Sequence, residues 1–287
     1  MPAPISIGIM RNFSIPWPEL VESWQRIDRT SGIDSVWGVD HFIRPVDPSA
    51  PHFDAWTTLA ALGALTNRVR IGILVTNVLL RHPALLAKMA ITVDHTSNGR
   101  LEIALGAGGW PPEHETFGIP YPATGERVAH LEESVALIDL LLRQEISTFQ
   151  GGTYQVSDAP MRPGPVQLPR PPITIGGQGP RMLRLAAKSA DRWNSYGTVE
   201  EMRERSERLT GYCLEIGRDP GTIIRSFYGS RPVIGFDVWE SPDAFAEGIC
   251  RYIEGAGITE FILEPPTAQE WPMAERILAE TLPKLNS

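Results

Sequence analysis

The 287-residue sequence lacks several features that mark specialised classes of protein. Its two cysteines, Cys213 and Cys250, are far apart in helix-like segments, which excludes a disulfide framework and a CxxC redox pair. No apolar run approaches about 20 residues, so we predict no membrane-spanning helix. The amino terminus shows no charged region followed by an apolar core, so we predict no signal peptide. We therefore expect a cytoplasmic protein with no membrane partner.

The charge balance and the missing motifs exclude further functions. There are 26 basic and 34 acidic residues, a net charge of −8, and no basic run, so we do not expect a nucleic-acid partner. The histidines form neither an HxH pair nor an HExxH helix, so we expect no metal. A metal-dependent hydrolase is kept only as a remote alternative. Neither a Gly-x-Ser-x-Gly elbow nor a Walker loop is present.

Apolar runs alternate with helical patterns along the whole chain. Eight of these runs are typical of strands, and they begin near residues 5, 33, 70, 101, 173, 191, 223 and 258. This alternation predicts an α/β fold, a (β/α)8 barrel formed as a single domain by residues 1–287. A doubly wound sheet is the alternative. The seventh strand, predicted over 223–236, has a possible interruption at Arg231-Pro232.

Two stretches do not fit a minimal barrel. Residues 110–124 are proline-rich, and residues 147–172 contain a predicted hairpin at Gly151-Gly152 followed by a second proline-rich segment. Insertions of this kind usually border a functional site. We therefore expect both insertions to cover the carboxyl-terminal mouth of the barrel.

Two glycine-rich segments follow predicted strands. They are Gly106-Ala107-Gly108-Gly109 and Gly176-Gly177-Gln178-Gly179. Backbone without side chains lets a flat, phosphate-bearing ligand approach, and Pro180 predicts a helix start whose free N–H groups favour an anion. Two ordinary tight turns are the alternative. The first segment lacks the third glycine of the dinucleotide fingerprint, so NAD on a Rossmann crevice is weakly supported.

Ionisable residues lie next to the same strand ends. Asp40-His41 closes the second strand, where side chains of a barrel face the ligand, and a histidine can transfer a proton near neutral pH. Glu113 and His114 follow the first glycine segment. The alternatives are a structural role for His41 and a solvent-exposed helix start, after Pro111-Pro112, for Glu113 and His114.

Taken together, these motifs resemble the luciferase-like monooxygenase superfamily, and most closely its branch that uses coenzyme F420, a deazaflavin. The resemblance extends from about residue 5 to about residue 283. Besides Asp40-His41-Phe42 and the glycine segments, it is carried by Leu65-Thr66-Asn67-Arg68-Val69-Arg70-Ile71-Gly72, Arg81-His82-Pro83, Ser97-Asn98-Gly99-Arg100 and the final strand Gly257-Ile258-Thr259-Glu260-Phe261-Ile262-Leu263.

The resemblance implies a site that the residues alone do not reveal. A deazaflavin would lie across the mouth of the barrel, with a non-proline cis peptide at Leu74-Val75 forming a bulge behind its ring. Asp40 and His41 would lie beside the ring. The phosphate-bearing arm would contact the backbone at Gly106, Ala107, Gly108, Gly176, Gly177 and Gln178. Similar proteins are often dimers, so a homodimer is expected.

The chain also departs from its similar proteins. Sugar-phosphate and alcohol dehydrogenases of this type carry a glutamate where this chain has Gly109, and the aromatic expected after Asp40-His41 is replaced by Arg44-Pro45-Val46. Glu113 or His114 could supply the missing proton partner. Hydride transfer to an activated double bond or imine of a small-molecule substrate is therefore favoured over alcohol oxidation. The alternatives are an FMN-dependent monooxygenase and a non-catalytic deazaflavin-binding protein.

Overall fold

The computed structural model describes residues 4–235 and 237–286. Eight parallel strands of these residues close into a barrel in the order β1-β10-β9-β8-β7-β4-β3-β2, while β5 and β6 form a separate antiparallel hairpin. The strands are β1 Ser6–Met10, β2 Ser35–Gly38, β3 Arg70–Asn77, β4 Leu101–Gly106, β5 Ile146–Gln150, β6 Gln155–Pro160, β7 Ile173–Gly176, β8 Arg192–Ser195, β9 Ile224–Gly229 and β10 Glu260–Leu263. The predicted (β/α)8 barrel is confirmed, and the doubly wound alternative is wrong.

Helices surround the barrel, and most of them cover its outer face. They are α1 Trp17–Arg29, α2 Ala55–Ala64, α3 Pro83–Thr96, α4 Pro111–Phe117, α5 Thr124–Arg143, α6 Pro180–Ser189, α7 Val199–Glu215, α8 Arg231–Ile234, α9 Pro242–Ala256, α10 Trp271–Arg276 and α11 Leu282–Leu285, with a 3-10 turn at Pro220–Thr222 and a π-helical turn at Ile277–Thr281. The sequence patterns did not predict α2. Its residues are apolar on most sides and mostly buried, so the helical period is weak.

The seventh barrel strand is shorter than expected. Strand β9 ends at Gly229, and the chain then turns into the short helix α8 with Pro232 in its first turn. Proline lacks the N–H that a strand ladder needs, but it fits the first turn of a helix. The possible interruption at Arg231-Pro232 is confirmed, and residue 236 lies outside the described residues.

An ion network fills the barrel at the amino ends of its strands. Arg192 is buried between Glu102 and Glu260, each side chain about 1% exposed, and its Nε lies 2.6 Å from Glu260 Oε2. Arg70 pairs with both carboxylates from the rim. The two positive and two negative charges balance, which makes burial tolerable. Above this layer the ring of Trp37 lies 5.9 Å from the Arg192 guanidinium and closes the barrel towards the mouth.

At the amino end of the barrel, several side chains hydrogen-bond to the backbone of the connecting loops, and two of them, Arg68 and Arg100, belong to motifs that carry the family resemblance. Asp28 accepts hydrogen bonds from the backbone N–H groups of residues 67–69. Arg68 donates to the carbonyls of Thr30 and Ile33, which lie beyond the end of α1. Arg100 donates to the carbonyls of residues 63, 66 and 69, at and beyond the end of α2. These residues therefore satisfy orphan backbone groups rather than bind a ligand.

The second insertion differs from the expectation. The hairpin at Gly151-Gly152 is confirmed, but the segment that follows packs at the amino end of β4. Asp94 accepts the N–H groups of Val166 and Gln167, and the amide of Gln167 donates to the carbonyl of Leu101. Residues 147–172 therefore pack on the outside of the barrel, where their polar groups form hydrogen bonds. None of them lines the cavity at the carboxyl-terminal mouth.

Candidate active site

A cavity of about 540 Å³ opens at the carboxyl-terminal mouth of the barrel. This volume lies within the range of small-molecule sites, and the position is where active sites of such barrels lie. Its wall contains all ten residues expected to contact the cofactor: Asp40, His41, Leu74, Val75, Gly106, Ala107, Gly108, Gly176, Gly177 and Gln178. The first insertion also reaches the mouth, since Trp110 lines the same cavity.

The side chain of Val75 explains two of the glycines in the glycine-rich segments, Gly106 and Gly176. The Leu74–Val75 peptide is cis, as the resemblance implied, and the register between β3 and β4 shifts at this point. A Cβ at Gly106 would lie 2.5 Å from Val75 Cγ2, and one at Gly176 would lie 2.7 Å from Val75 Cγ1. These two glycines therefore make room for Val75, and their contact with a phosphate-bearing arm stays a prediction.

Bare backbone is nevertheless available further along both loops. A Cβ at Gly109 or at Gly179 would meet no atom within 4 Å, and α6 begins at Pro180 as predicted. Gly108 has a φ of +77° that disfavours any side chain. On the adjoining wall, the buried hydroxyl of Ser195 has no hydrogen-bond partner among the described residues. This side of the cavity can therefore offer donors to an anionic group.

A carboxylate–imidazole pair lies at the rim. His41 Nδ1 is 3.3 Å from Glu113 Oε2, and Glu113 also accepts the backbone N–H of Phe42. Although burial acts to raise the pKa of Glu113, the hydrogen bonds from His41 and Phe42 lower it overall. The carboxylate is therefore ionised at neutral pH. It fixes the orientation of the imidazole, whose other nitrogen remains available to a ligand in the cavity.

His114 lies in a different environment. It is buried, its Nε2 lies 3.0 Å from Asn77 Nδ2, and its Nδ1 lies 3.2 Å from the carbonyl oxygen of Pro120. It does not line the cavity, and its role as the missing proton partner stays a prediction. The solvent-exposed helix start is wrong, because Glu113 and His114 are each about 1% exposed. Helix α4 folds inward and is held there by His114.

Asp40 is held at the rim by Arg81. The two guanidinium nitrogens donate to the two carboxylate oxygens at 2.6 and 2.8 Å, and Asn77 N–H donates at 3.0 Å. Burial acts to lower the pKa of Arg81, but the hydrogen bonds and charges of Asp40 and Asp54 raise it overall. This charged pair joins the ends of β2 and β3 and so fixes the backbone that carries His41.

Sequence reasoning did not single out several residues of the wall. Four of them, Met10, Asn194, Ser195 and Tyr228, lie at or near the ends of β1, β8 and β9. Burial, with the charge of Glu264, raises the pKa of Tyr228 to about 12, so its hydroxyl is a neutral donor at physiological pH. The signal was available, since side chains at strand ends face the mouth of a barrel.

Metal-binding side chains do not cluster in residues 4–235 and 237–286. No group of three or more His, Cys, Asp or Glu side chains there is arranged to hold a metal ion. In the same residues, every helix is too short or too polar to cross a bilayer.

Comparisons with known proteins agree with this architecture. Residues 3–259 match the family model described as luciferase-like monooxygenase. An uncharacterized protein of Mycobacterium tuberculosis is 32% identical over 214 residues, which cover 74% of this chain and 68% of the relative. An F420-dependent glucose-6-phosphate dehydrogenase of Kineococcus radiotolerans is 37% identical over 164 residues, which cover 56% of this chain and 47% of that enzyme.

Solved structures share the fold at lower identity. An F420-dependent secondary alcohol dehydrogenase in complex with an F420-acetone adduct has a TM-score of 0.82 at 20% identity, and the match covers 96% of this chain and 98% of that one. A monooxygenase from Streptomyces bottropensis has a TM-score of 0.79 at 21% identity over 99% and 100% of the two chains. At such identities the likeness concerns the fold alone. Given the family match over residues 3–259, the chain belongs to the luciferase-like monooxygenase family.

Proposed function

We propose that this protein is an F420-dependent oxidoreductase that transfers a hydride between the deazaflavin and a small organic substrate. The observation that carries the proposal is that one cavity wall contains both the apolar bulge at Val75 and the imidazole of His41, which the buried Glu113 contacts from behind. Two relatives described as F420-dependent glucose-6-phosphate dehydrogenases, from Kineococcus radiotolerans and Amycolatopsis mediterranei, support it at 37% and 34% identity.

The residues of the cavity fit such a cofactor. Leu74 and Val75 are half-buried and form an apolar wall against which a flat ring would pack. The open backbone at Gly109 and the unpartnered hydroxyl of Ser195, which both line the cavity, would hold the acidic arm. When bound, the deazaflavin would supply or accept the hydride, and the protein would provide binding and orientation.

His41 would transfer the proton. Because Glu113 holds Nδ1, the opposite nitrogen, Nε2, would deliver a proton to the substrate or remove one from it. The apolar wall would keep water from the reacting atoms, and a fixed substrate position would supply much of the acceleration. Since Gly109 provides no further carboxylate, we favour reduction of an activated double bond or imine over oxidation of an alcohol.

Cofactor titration tests this proposal directly. Fluorescence titration of the purified protein with F420 and with FMN should show saturable binding of F420 and weaker binding of FMN. His41→Ala should then lower turnover with reduced F420 by about 100-fold or more while the affinity for F420 is retained. The proposal fails if well-folded protein binds neither cofactor. The role of His41 fails if the variant turns over normally.

Two alternatives give different results in the same assays. An FMN-dependent monooxygenase would bind FMN more tightly and would consume oxygen with reduced FMN. A non-catalytic binding protein would bind F420 but reduce no member of a panel of enones and imines. We further propose a homodimer in the cytoplasm, for which light scattering and cell fractionation are the measurements.

A further inference from the structure

Two aromatic side chains lie on opposite sides of the cavity at the carboxyl-terminal mouth, and both line it. The ring of Trp110 packs edge to face against the ring of His41, with 5.8 Å between the centroids and 88° between the planes. Tyr196 directly follows β8. In the closed barrel β8 lies four strands away from β2, which His41 follows. Tyr196 therefore lies across the mouth from the pair of His41 and Trp110.

The ring of Tyr196 is exposed although its backbone is held in place. Its carbonyl oxygen accepts hydrogen bonds from Gln178 Nε2 at 3.2 Å and from Arg205 Nη1 at 2.6 Å. Tyr196 is nevertheless 52% exposed, and among residues 4–235 and 237–286 its side chain forms no hydrogen bond and contacts no other aromatic ring. Tyrosine offers a large, rigid contact area at low cost in side-chain entropy. This ring is therefore available to pack against a ligand in the cavity.

The wall of this cavity offers no permanent positive charge. Within the described part of the chain, no lysine or arginine lines it, and Arg11 and Arg44 lie close in sequence to wall residues without belonging to the wall. The carboxylate of Asp40 is neutralised by Arg81. Under the proposed function, the donors of the glycine segments and of the adjoining wall belong to the cofactor. An anionic substrate would thus be buried without a counter-ion, which is unfavourable.

We propose, on the basis of the proposed function, that the substrate is an uncharged, flat compound whose aromatic ring packs between Trp110 and Tyr196. Because His41 lies beside Trp110, a carbonyl or imine conjugated to that ring would reach the imidazole. Contacts between aromatic rings stabilise a complex beyond the area that they bury. The substrate class is therefore an aryl-conjugated enone or imine. It differs from glucose 6-phosphate, which the names of two relatives mention.

Three matched probes test this site without requiring turnover. They are 4-phenylbut-3-en-2-one, its cyclohexyl analogue 4-cyclohexylbut-3-en-2-one, and the anionic 4-(3-oxobut-1-enyl)benzoate. Ligand-observed NMR gives their dissociation constants, with the cofactor-free protein and with F420 present. The cyclohexyl probe is the more apolar of the two uncharged probes, so burial alone would favour it, whereas packing between aromatic rings favours the phenyl probe. We expect the phenyl probe to bind about 3- to 10-fold more tightly than the cyclohexyl probe, and at least about 10-fold more tightly than the carboxylate.

Substitutions then locate the preference for the phenyl probe. Tyr196→Leu keeps an apolar side chain but removes the ring, so it should abolish the preference for phenyl over cyclohexyl, and Trp110→Leu should weaken it. Tyr196→Phe should retain the preference, since the hydroxyl is not required. The matched control is Tyr212→Leu, because Tyr212 packs against Arg184 on the outer helix α7, and it should leave all three dissociation constants unchanged.

The outcomes separate this inference from the proposed function. The aromatic site is overturned if the wild type binds the cyclohexyl probe or the carboxylate as tightly as the phenyl probe, or if it binds none of the three. An undiminished preference for phenyl over cyclohexyl in Tyr196→Leu would also overturn it. If Tyr196→Leu does not fold, the wild-type preference and its change in Trp110→Leu decide the question. If the expected preferences are found but F420 does not bind, the aromatic site is supported and only the proposed function is refuted.

Discussion

His41 Nδ1 lies 3.3 Å from Glu113 Oε2, although 72 residues separate the two along the chain. The short helix α4 makes this contact possible, because it folds into the mouth and buries Glu113 beside the end of β2. Under the proposed function, Glu113 would act behind the imidazole in place of the carboxylate that Gly109 lacks. His41 would then transfer the proton, and Glu113 would position it.

Glu113→Gln should separate the contribution of the negative charge of Glu113 to catalysis from that of its shape. The amide can still accept from Phe42 N–H, but it no longer stabilises a protonated His41. We expect kcat to fall about 10- to 100-fold and F420 affinity to change less than about 2-fold. The pH–rate profile should also shift, which a purely structural role would not cause. Glu115→Gln, on the exposed side of the same helix, is the matched control and should leave all three values unchanged.

Gly176→Ala should show that Val75 is the reason for a glycine at this position. The added Cβ would lie 2.7 Å from Val75 Cγ1, so we expect a loss of about 1–3 kcal/mol in the free energy of unfolding. Chemical denaturation gives this value. Val75→Ala in the same chain should recover part of the loss, and Gly109→Ala, which meets no atom within 4 Å, should cost far less. Equal costs at the two glycines would contradict the steric explanation.

Arg192→Met should be among the most destabilising substitutions. It leaves Glu102 and Glu260 buried at the amino end of the barrel with only Arg70 as a partner. Uncompensated buried charges of this kind cost about 3–5 kcal/mol. Thermal and urea unfolding should show that loss, whereas Arg208→Met, which breaks an exposed pair within α7, should cost less than about 1 kcal/mol.

Asp28→Asn should have an effect that depends on pH. Burial acts to raise the pKa of Asp28, but the backbone N–H groups of residues 67–69 lower it overall. A lowered carboxyl pKa stabilises the fold above the unfolded value of about 4, and the stabilisation is lost as pH falls through the folded value. We expect Asp28→Asn to lower the free energy of unfolding by about 1.5–3 kcal/mol at pH 7. Below pH 4, the free energies of unfolding of the variant and the wild type should become more similar.

Unfolding curves between pH 2.5 and 7 measure this difference. The control is Glu207→Gln, because the side chain of Glu207 is exposed and forms no hydrogen bond or ion pair among the described residues. The free energy of unfolding of this variant should follow that of the wild type at every pH. A constant difference between Asp28→Asn and the wild type at every pH would show that shape rather than charge explains the contribution of Asp28.

Local pattern was sufficient for much of the fold. Strand Leu101–Gly106 is buried on both faces, so it appears in the sequence as an apolar run that only Glu102 interrupts, and it can be recognised without knowledge of its neighbours. Helix α2 was not predicted, because most of its sides are buried and it therefore lacks the polar face that marks a surface helix. The hairpin at Gly151-Gly152 was predictable because its signal lies within a few neighbouring residues. Its position on the outside of the barrel depends on contacts with distant residues, so the sequence did not predict it.

The candidate site likewise has residues that the sequence predicted and contacts that it did not. Strand ends carry their own signal, so Asp40, His41 and the glycine segments were identifiable as residues of the mouth before any contact was known. The pairing of His41 with Glu113 and the packing of Val75 between Gly106 and Gly176 depend on groups far apart in the chain. Barrel closure brings those groups together, and distance and burial, which decide how charges and side chains interact, exist only in the folded molecule.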